Sequence, residues 1–239
     1  MTLRIAVNPL ETRRFGVTCA RAESAAAADM PAIDRWCRDQ GVDMLTIRMA
    51  VDDFTLIHAV EAAGGRLMDS LIYYERPLPL PDLSVDSRCR AATRADLDAV
   101  SRIARVAFDG YFGHYHADPR LDDAAATDGM TEWAESGLKA DPAPPYWVWE
   151  DADGIGGFSM GALKADGSGD VVLNAVDPGR QKQGIYAALI RQACVTFSQM
   201  GLPRVELSTQ VQNYAVQRVW ARAGFTHFKS LYTFHIWYS

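Results

Sequence analysis

Only four cysteines occur in the 239 residues, Cys19, Cys37, Cys89 and Cys194, and none stands in C-x-x-C or Cys/His ligand spacing. A disulfide framework and a metal site are therefore not expected, and reduced thiols are the simpler reading. Positive charge is also in short supply: 24 Lys and Arg face 30 Asp and Glu, a formal charge of -6. Non-specific nucleic-acid binding needs a basic face to neutralise phosphates, so that class is set aside, while a local basic patch for an anionic ligand remains open. No stretch approaches the roughly 20 apolar residues of a membrane helix. Met1–Leu10 has neither the apolar run nor the small-residue cleavage pattern of a secretory signal. The expectation is a cytoplasmic protein with no membrane or nucleic-acid partner. Internal repeats and low-complexity tracts are missing too, apart from the alanines at 25–28.

What is present is a composition of 49% hydrophobic and 23% charged residues, ample for a core at this length. The clearest seam is Glu75–Ser84, ERPLPLPDLS, where prolines at 77, 79 and 81 remove alternate backbone donors and keep the chain extended. It predicts a linker between a small N-terminal α/β domain, residues 1–80, and a larger domain, residues 86–239. Before the seam the pattern predicts a strand over Arg14–Arg21, a helix over Met30–Asp39 with Pro31 in its first turn, and a strand over Asp43–Arg48. A helix over Asp53–Ala63, stopped by Gly64-Gly65, and a strand over Leu67–Tyr74 complete that part. After the seam, helices are predicted over Ala95–Phe108 and Thr131–Leu138. Strands follow over Pro145–Glu150, Gly156–Leu163 and Asp170–Val176. Gly184–Met200 reads as a long helix with Tyr186, Ile190, Ala193, Phe197 and Met200 on one face. A strand over Arg204–Ser208, a helix over Asn213–Ala223 and a closing strand over Leu231–Trp237 end the chain.

The segment Val171–Ile190, VVLNAVDPGRQKQGIYAALI, carries the clearest chemistry. A buried strand enters a polar, Gly-containing loop and then an amphipathic helix. Free N–H groups at such a helix start, with the positive end of its dipole, suit a diphosphate. Gly184 keeps a side chain from blocking the approach, and Arg180 and Lys182 add positive charge. An ordinary strand-to-helix connection is the competing reading of these residues taken alone.

Gln181-Lys182-Gln183-Gly184-Ile185-Tyr186 resembles the cofactor loop [Q/R]-x-x-G-x-[G/A] of the GNAT N-acetyltransferase superfamily, departing at Tyr186, where that family has a small residue. Ser208–Phe225, STQVQNYAVQRVWARAGF, is similar to the family's later helix with an Asn at its head and Gly-Phe at its end, here Asn213 and Gly224-Phe225. The resemblance implies an α/β (α+β) GNAT fold: a mixed, mostly antiparallel sheet with flanking helices, preceded by a smaller N-terminal α/β half. It further implies acetyl-CoA as co-substrate, without a metal, and a small amine as acceptor. Within the superfamily, the likeness is to the branch that acetylates the 4-amino group of a nucleotide-linked sugar, a similarity that also suggests a homodimer. By the same resemblance the backbones of Asn174, Ala175 and Val176 and the side chain of Asn213 bind the pantetheine arm, while Gln181, Lys182, Gln183, Gly184, Ile185 and Tyr186 bind the diphosphate. Asn213 serves equally well as a helix N-cap.

Acyl transfer asks for a deprotonated amine, donors for the developing oxyanion, and a proton for a departing thiolate of pKa about 8.5. The family's usual acid is a Tyr four residues before the Gly of Gly-Phe; Trp220 stands there, so the role is unfilled or moved. Tyr214 is the nearest phenol in sequence, and solvent is the alternative donor. Glu150 and Glu206, at strand ends, are candidate bases, and Glu206 would need a pKa raised by burial. Tyr111–Leu121, YFGHYHADPRL, occupies the place of an acceptor loop in such a fold. His114, His116 and Arg120 there could bind the substrate, supplying a base and a phosphate clamp, or sit in a surface loop with satisfied histidines. Trp133, Trp147 and Trp149 read as base-stacking or, more commonly, as core. The leading reading is acetyl transfer to a small molecule such as a nucleotide-linked amino sugar. An amino acid, antibiotic or protein amine is the alternative acceptor. A non-catalytic acyl-CoA sensor is the alternative class, favoured by Trp220.

Overall fold

A computed structural model of the chain describes residues 3–238. These residues pack as two compact units, neither continuous in sequence. The first comprises the chain up to Ile72, Phe112–Ala126, and the chain from Lys229 on; the second comprises Tyr73–Tyr111 and Thr127–Phe228. The proline-rich seam at 75–84 lies inside the second unit.

In the first unit the elements are β1 (Arg4–Val7), α1 (Pro9–Phe15), β2 (Cys19–Glu23), α2 (Met30–Asp39), β3 (Met44–Ala50), α3 (Phe54–Ala62), the start of β4 (Arg66–Pro77) and the end of β10 (Thr226–Trp237). Strand β1 is antiparallel to β2, β2 parallel to β3, and β3 antiparallel to β10. Alternation sends Ala20, Ala22, Leu45, Ile47, Phe234 and Ile236 to one face, where Ile33 and Cys37 of α2 and Leu56 and Val60 of α3 cover them. Met30, Ile33 and Cys37 recur at helical spacing, which is why α2 buries a single stripe. The opposite face carries a row set by register, Arg21 beside Thr46 and Thr46 beside His235.

The predicted strand over Arg14–Arg21 is corrected: α1 occupies its first residues, and the strand starts at Cys19. Local capping decides this. The Asn8 side chain accepts from the amides of Leu10 at 3.1 Å and Glu11 at 3.2 Å, Pro9 opens the helix, and Gly16 at φ 69° ends it.

The second unit holds the rest of β4, then β5 (Cys89–Ala91), α4 (Leu97–Ala107), most of α5 (Asp123–Lys139), β6 (Tyr146–Asp151), β7 (Gly154–Leu163), β8 (Gly169–Val176), α6 (Ile185–Gln199), β9 (Arg204–Gln210) and α7 (Tyr214–Arg222). Its strands run in the order β4, β9, β8, β7, β6, β5; β8 and β9 are parallel, and the pairs from β8 to β5 are antiparallel. Apolar residues cover both faces. Trp147, Trp149, Leu189, Phe197 and Trp220 pack on the α6 and α7 side; Ile103, Leu138, Tyr146 and Phe158 pack on the α4 and α5 side. Trp147 and Trp149 are therefore core, whereas Trp133 is exposed. Helix α6 buries Ile185, Leu189, Ile190, Ala193, Cys194 and Phe197; Met200 lies beyond its end and is exposed, so the predicted stripe is turned by about one residue. Helix α5 begins at Asp123, eight residues earlier than predicted, because the Asp122 side chain accepts from the amides of Ala124 and Ala125.

The seam is not a free linker. The Leu78 amide donates to the Pro203 carbonyl and the Leu80 amide to Ser198 Oγ, while Arg191 holds Asp82 and the Ser84 carbonyl. Proline leaves few amides as donors; that of Leu80 is taken by α6 and that of Leu78 by the carbonyl just before β9. No helix of the described residues is long and apolar enough to cross a membrane.

Candidate active site

The site begins where two strands part. Strands β8 and β9 pair through Gly169 with Val205, Asp170 with Glu206 and Val171 with Leu207. The ladder between β7 and β8 then skips a residue: Gly161 faces Val171 and Met160 faces Leu173, which leaves Val172 as a bulge in β8. Past it β8 continues to Val176 against β7, and β9 continues to Gln210. Asn174, Ala175 and Val176 lie in the parted segment. The Asn174 side chain is engaged, accepting from Ser159 Oγ at 2.6 Å.

From Val176 the chain enters a one-turn helix, Pro178–Arg180, capped by Asp177, which also accepts from Arg102 at 2.9 Å. Arg180 pairs with Asp151, donates to the Gly154 carbonyl and lies 5.0 Å from the Trp149 ring. It fixes the loop and is not free to clamp a phosphate. Gln181, Lys182, Gln183 and Gly184 are exposed. Lys182 at φ 63° and Gly184 at φ 82° turn the loop so that α6 starts at Ile185 with no side-chain cap. The first amides of α6 are orphans of the helix. A Cβ at Gly184 would meet no atom within 4 Å, so the space before those amides is open. Gly157 beneath them is small for a different reason: a Cβ there would come within 3.0 Å of Ile185 and 2.9 Å of the Ala175 carbonyl. Uncapped amides, open space and Lys182, which has no partner among the described residues, fit a diphosphate.

The two departures from the family pattern meet each other. Trp220 Nε1 donates to the Tyr186 hydroxyl at 2.9 Å, and Tyr74 packs edge-on against Trp220 at 5.4 Å. Burial raises the Tyr186 phenol above its usual range, partly offset by that hydrogen bond, so it stays protonated. This pair could not be found from either motif alone, because the two residues are 34 apart in sequence. Asn213 stands at the N-cap position of α7 but makes no side-chain capping bond; its Nδ2 donates to Thr209 Oγ1 at 3.1 Å. Gln210, also at the end of β9, accepts from the Tyr111 hydroxyl at 2.5 Å.

The candidate acid and base fare differently. Tyr214 is 61% exposed at the head of α7. Glu206 is buried, but Lys164 Nζ at 2.6 Å and Arg204 Nε at 2.9 Å hold it. Burial acts to raise its pKa, and these hydrogen bonds outweigh burial and leave it below the usual carboxylate range. The raised pKa expected of a general base is not what this environment produces. Glu150 is paired with Arg90 at 2.7 Å.

In the first unit His114 is buried, not displayed. Its Nδ1 lies 2.9 Å from His235 Nε2, His235 Nδ1 lies 2.7 Å from Asp118 Oδ2, and Trp237 Nε1 donates to the same oxygen at 2.8 Å. Asp118 is buried; the hydrogen bonds from His235 and Trp237 outweigh that burial and keep it ionised. Burial, with Arg48 and His235 adding to it, keeps His114 neutral well below the usual imidazole range. His116 Nδ1 accepts from the Gly113 amide at 3.3 Å, and Arg120 lies 5.0 Å from the Trp237 ring. Tyr115 and Arg21 both bond Glu11.

Residues 101–225, about half of the chain, match the profile of the Acetyltransferase (GNAT) family. The spore coat polysaccharide biosynthesis protein SpsD of Bacillus subtilis is 24% identical over 203 residues, 82% of this chain and 67% of that protein. A mycothiol acetyltransferase of Beutenbergia cavernae is 32% identical over 107 residues, 44% of this chain and 34% of that one. The chain thus spans about two thirds and one third of these two curated relatives. A solved GCN5-related N-acetyltransferase from Sphaerobacter thermophilus shares the fold at a TM-score of 0.66 and 16% identity, over 98% of this chain and 76% of its own. With a bulged, parted strand pair leading to an uncapped helix inside the matched region, this chain belongs to the acetyltransferase (GNAT) family and is an acyltransferase.

Proposed function

We propose that this protein moves an acetyl group from acetyl-CoA to the amine of a small molecule, with a nucleotide-linked amino sugar as the favoured acceptor class. The observation that carries the reading is the bulge at Val172, after which β8 and β9 separate ahead of the uncapped start of α6. The amides from Gln181 to Tyr186 would hold the diphosphate, and Asn174 to Val176, with Asn213, the pantetheine arm. Bound acetyl-CoA supplies an activated thioester. The chain's own part is to orient it by backbone donors and to receive a deprotonated amine. We assign this chemistry to residues 86–239, preceded by a smaller N-terminal α/β half, residues 1–80.

Support for the sugar class is the likeness to TDP-fucosamine acetyltransferase in Thr209-Gln210, Asn213 and the aromatic chain end, together with a relative named for polysaccharide biosynthesis. A second reading, an acyl-CoA-binding module without catalysis, is favoured by one observation: Trp220 fills the usual phenol position and spends its N–H on Tyr186. Incubating the protein with acetyl-CoA and a panel of amines, amino sugar nucleotides included, while following free thiol, tests the proposal. Amine-dependent thiol release is expected. Cofactor binding by calorimetry without release for any amine would select the second reading.

A further inference from the structure

A cavity of about 320 Å³ opens in the second unit between the middle of α6 and the end of α7, and three of its lining residues are Arg76, Arg191 and Arg222. Three guanidinium groups around one cavity are unusual in a chain with a formal charge of -6. Like charges brought together cost free energy unless a counter-charge joins them. The local counter-charges are few. Asp82 pairs with Arg191 at 2.8 Å but is itself largely exposed, and Arg76 donates to the Ala223 carbonyl at the end of α7. Arg222 makes no hydrogen bond or ion pair with any described residue. About two positive charges are left uncompensated.

The first two arginines are held in place. The seam fixes Arg191 through the Ser84 carbonyl at 3.0 Å and the Asp82 carbonyl at 2.6 Å. The Arg76 guanidinium lies close to Gly224, where an added Cβ would stand 3.4 Å from its Cζ. Cys194 reports the same convergence: burial pushes its thiol up to about 11, and Arg76 and Arg191 both act on it in the opposite sense. Arginine binds phosphate oxygens in a fork geometry, so three arginines lining one cavity suit a phosphate. The volume suits a small molecule more than a lone ion. Arg191 and Cys194 stand roughly 10–15 Å along α6 from Gly184, at about 1.5 Å per residue, so this is a different place from the helix head.

We propose that this cavity binds the phosphomonoester group of a small anionic molecule, with Arg222 as the free donor and Arg76 and Arg191 adding positive charge and the N–H groups their fixing bonds leave over. The phosphate could belong to a coenzyme A donor or to a separate phosphorylated ligand, and the experiment distinguishes them. Calorimetry on the full chain would use inorganic phosphate, coenzyme A and dephospho-coenzyme A, against the natural protein, Arg222→Glu, Arg222→Lys and Gly184→Asp, with each variant's Tm recorded. Saturable phosphate binding is expected, weakened about tenfold or more by Arg222→Glu, much less by Arg222→Lys, and unchanged by Gly184→Asp. A preference for coenzyme A over its dephospho form that vanishes in Arg222→Glu assigns the phosphate to the donor; a preference that survives assigns it to a separate ligand. Equal phosphate affinity in the natural protein and a folded Arg222→Glu, or no saturable binding, overturns the proposal. Phosphate binding without any coenzyme A binding would instead leave the cavity standing and remove the acetyl-CoA reading.

Discussion

Gly184→Asp, set beside Gly184→Ala, separates backbone strain from charge at the head of α6. Gly184 has φ 82°, where a residue with a Cβ costs about 1–2 kcal/mol. No atom lies within 4 Å of the added Cβ, so neither variant meets a steric clash. Both should therefore lose a similar, small amount of stability, roughly 2–4 °C per kcal/mol for a chain of this size. The charge effect is another matter. A carboxylate about 4 Å from one unit of phosphate charge costs about 1 kcal/mol in water and about 4 kcal/mol at a partly buried surface. Coenzyme A affinity should then fall about fivefold to nearly a thousandfold in Gly184→Asp, and by no more than a few-fold in Gly184→Ala. Calorimetry at two salt concentrations checks it, since a charge effect at this exposed loop shrinks as salt rises. Equal affinities for the Asp variant and the natural protein would refute the assignment of the diphosphate to these amides.

Trp220→Phe removes the donor to a buried phenol and should cost about 1–3 kcal/mol; a double-mutant cycle with Tyr186→Phe by urea melts should return a coupling of about 1 kcal/mol. Glu206→Gln leaves Lys164 and Arg204 without their shared buried carboxylate and should cost about 2–4 kcal/mol. The same variant should keep its turnover per folded molecule, and a loss of turnover at full folding would restore Glu206 as a base. His114 is held neutral in the fold, so the unfolded chain takes up its proton first as pH falls below about 6.5. The stability it contributes is full above that value and is lost as pH drops toward the folded pKa, by at most about 1.4 kcal/mol per pH unit. Melting temperatures from pH 7.5 to 5 should fall less steeply in His114→Gln than in the natural protein, and parallel slopes would show that His114 is not the titrating group.

Much of the fold is written in short-range signals, and these were legible. Pro31 marks the first turn of α2, Asp53 and Gly64 bound α3, and the Gln181–Tyr186 loop with Asn213 and Gly224-Phe225 carries the family. Each depends on residues within a few positions of one another, where capping, backbone freedom and periodicity act. Helix α1 was missed although its signals, Asn8, Pro9 and Gly16, are local, because Arg14–Arg21 also alternates as a strand does and the cap outweighs it.

What the tertiary structure decided are the partners across sequence. Arg180 looked like a phosphate ligand until Asp151 was found beside it, and Glu206 looked like a base until Lys164 and Arg204 claimed it. His114 meets His235 across 121 positions, and Tyr186 meets Trp220 across 34. A side chain's protonation and availability follow from the charges and burial around it, which come from strand register and helix packing. The amino-acid order states which groups exist; only the folded chain states which of them are already spoken for.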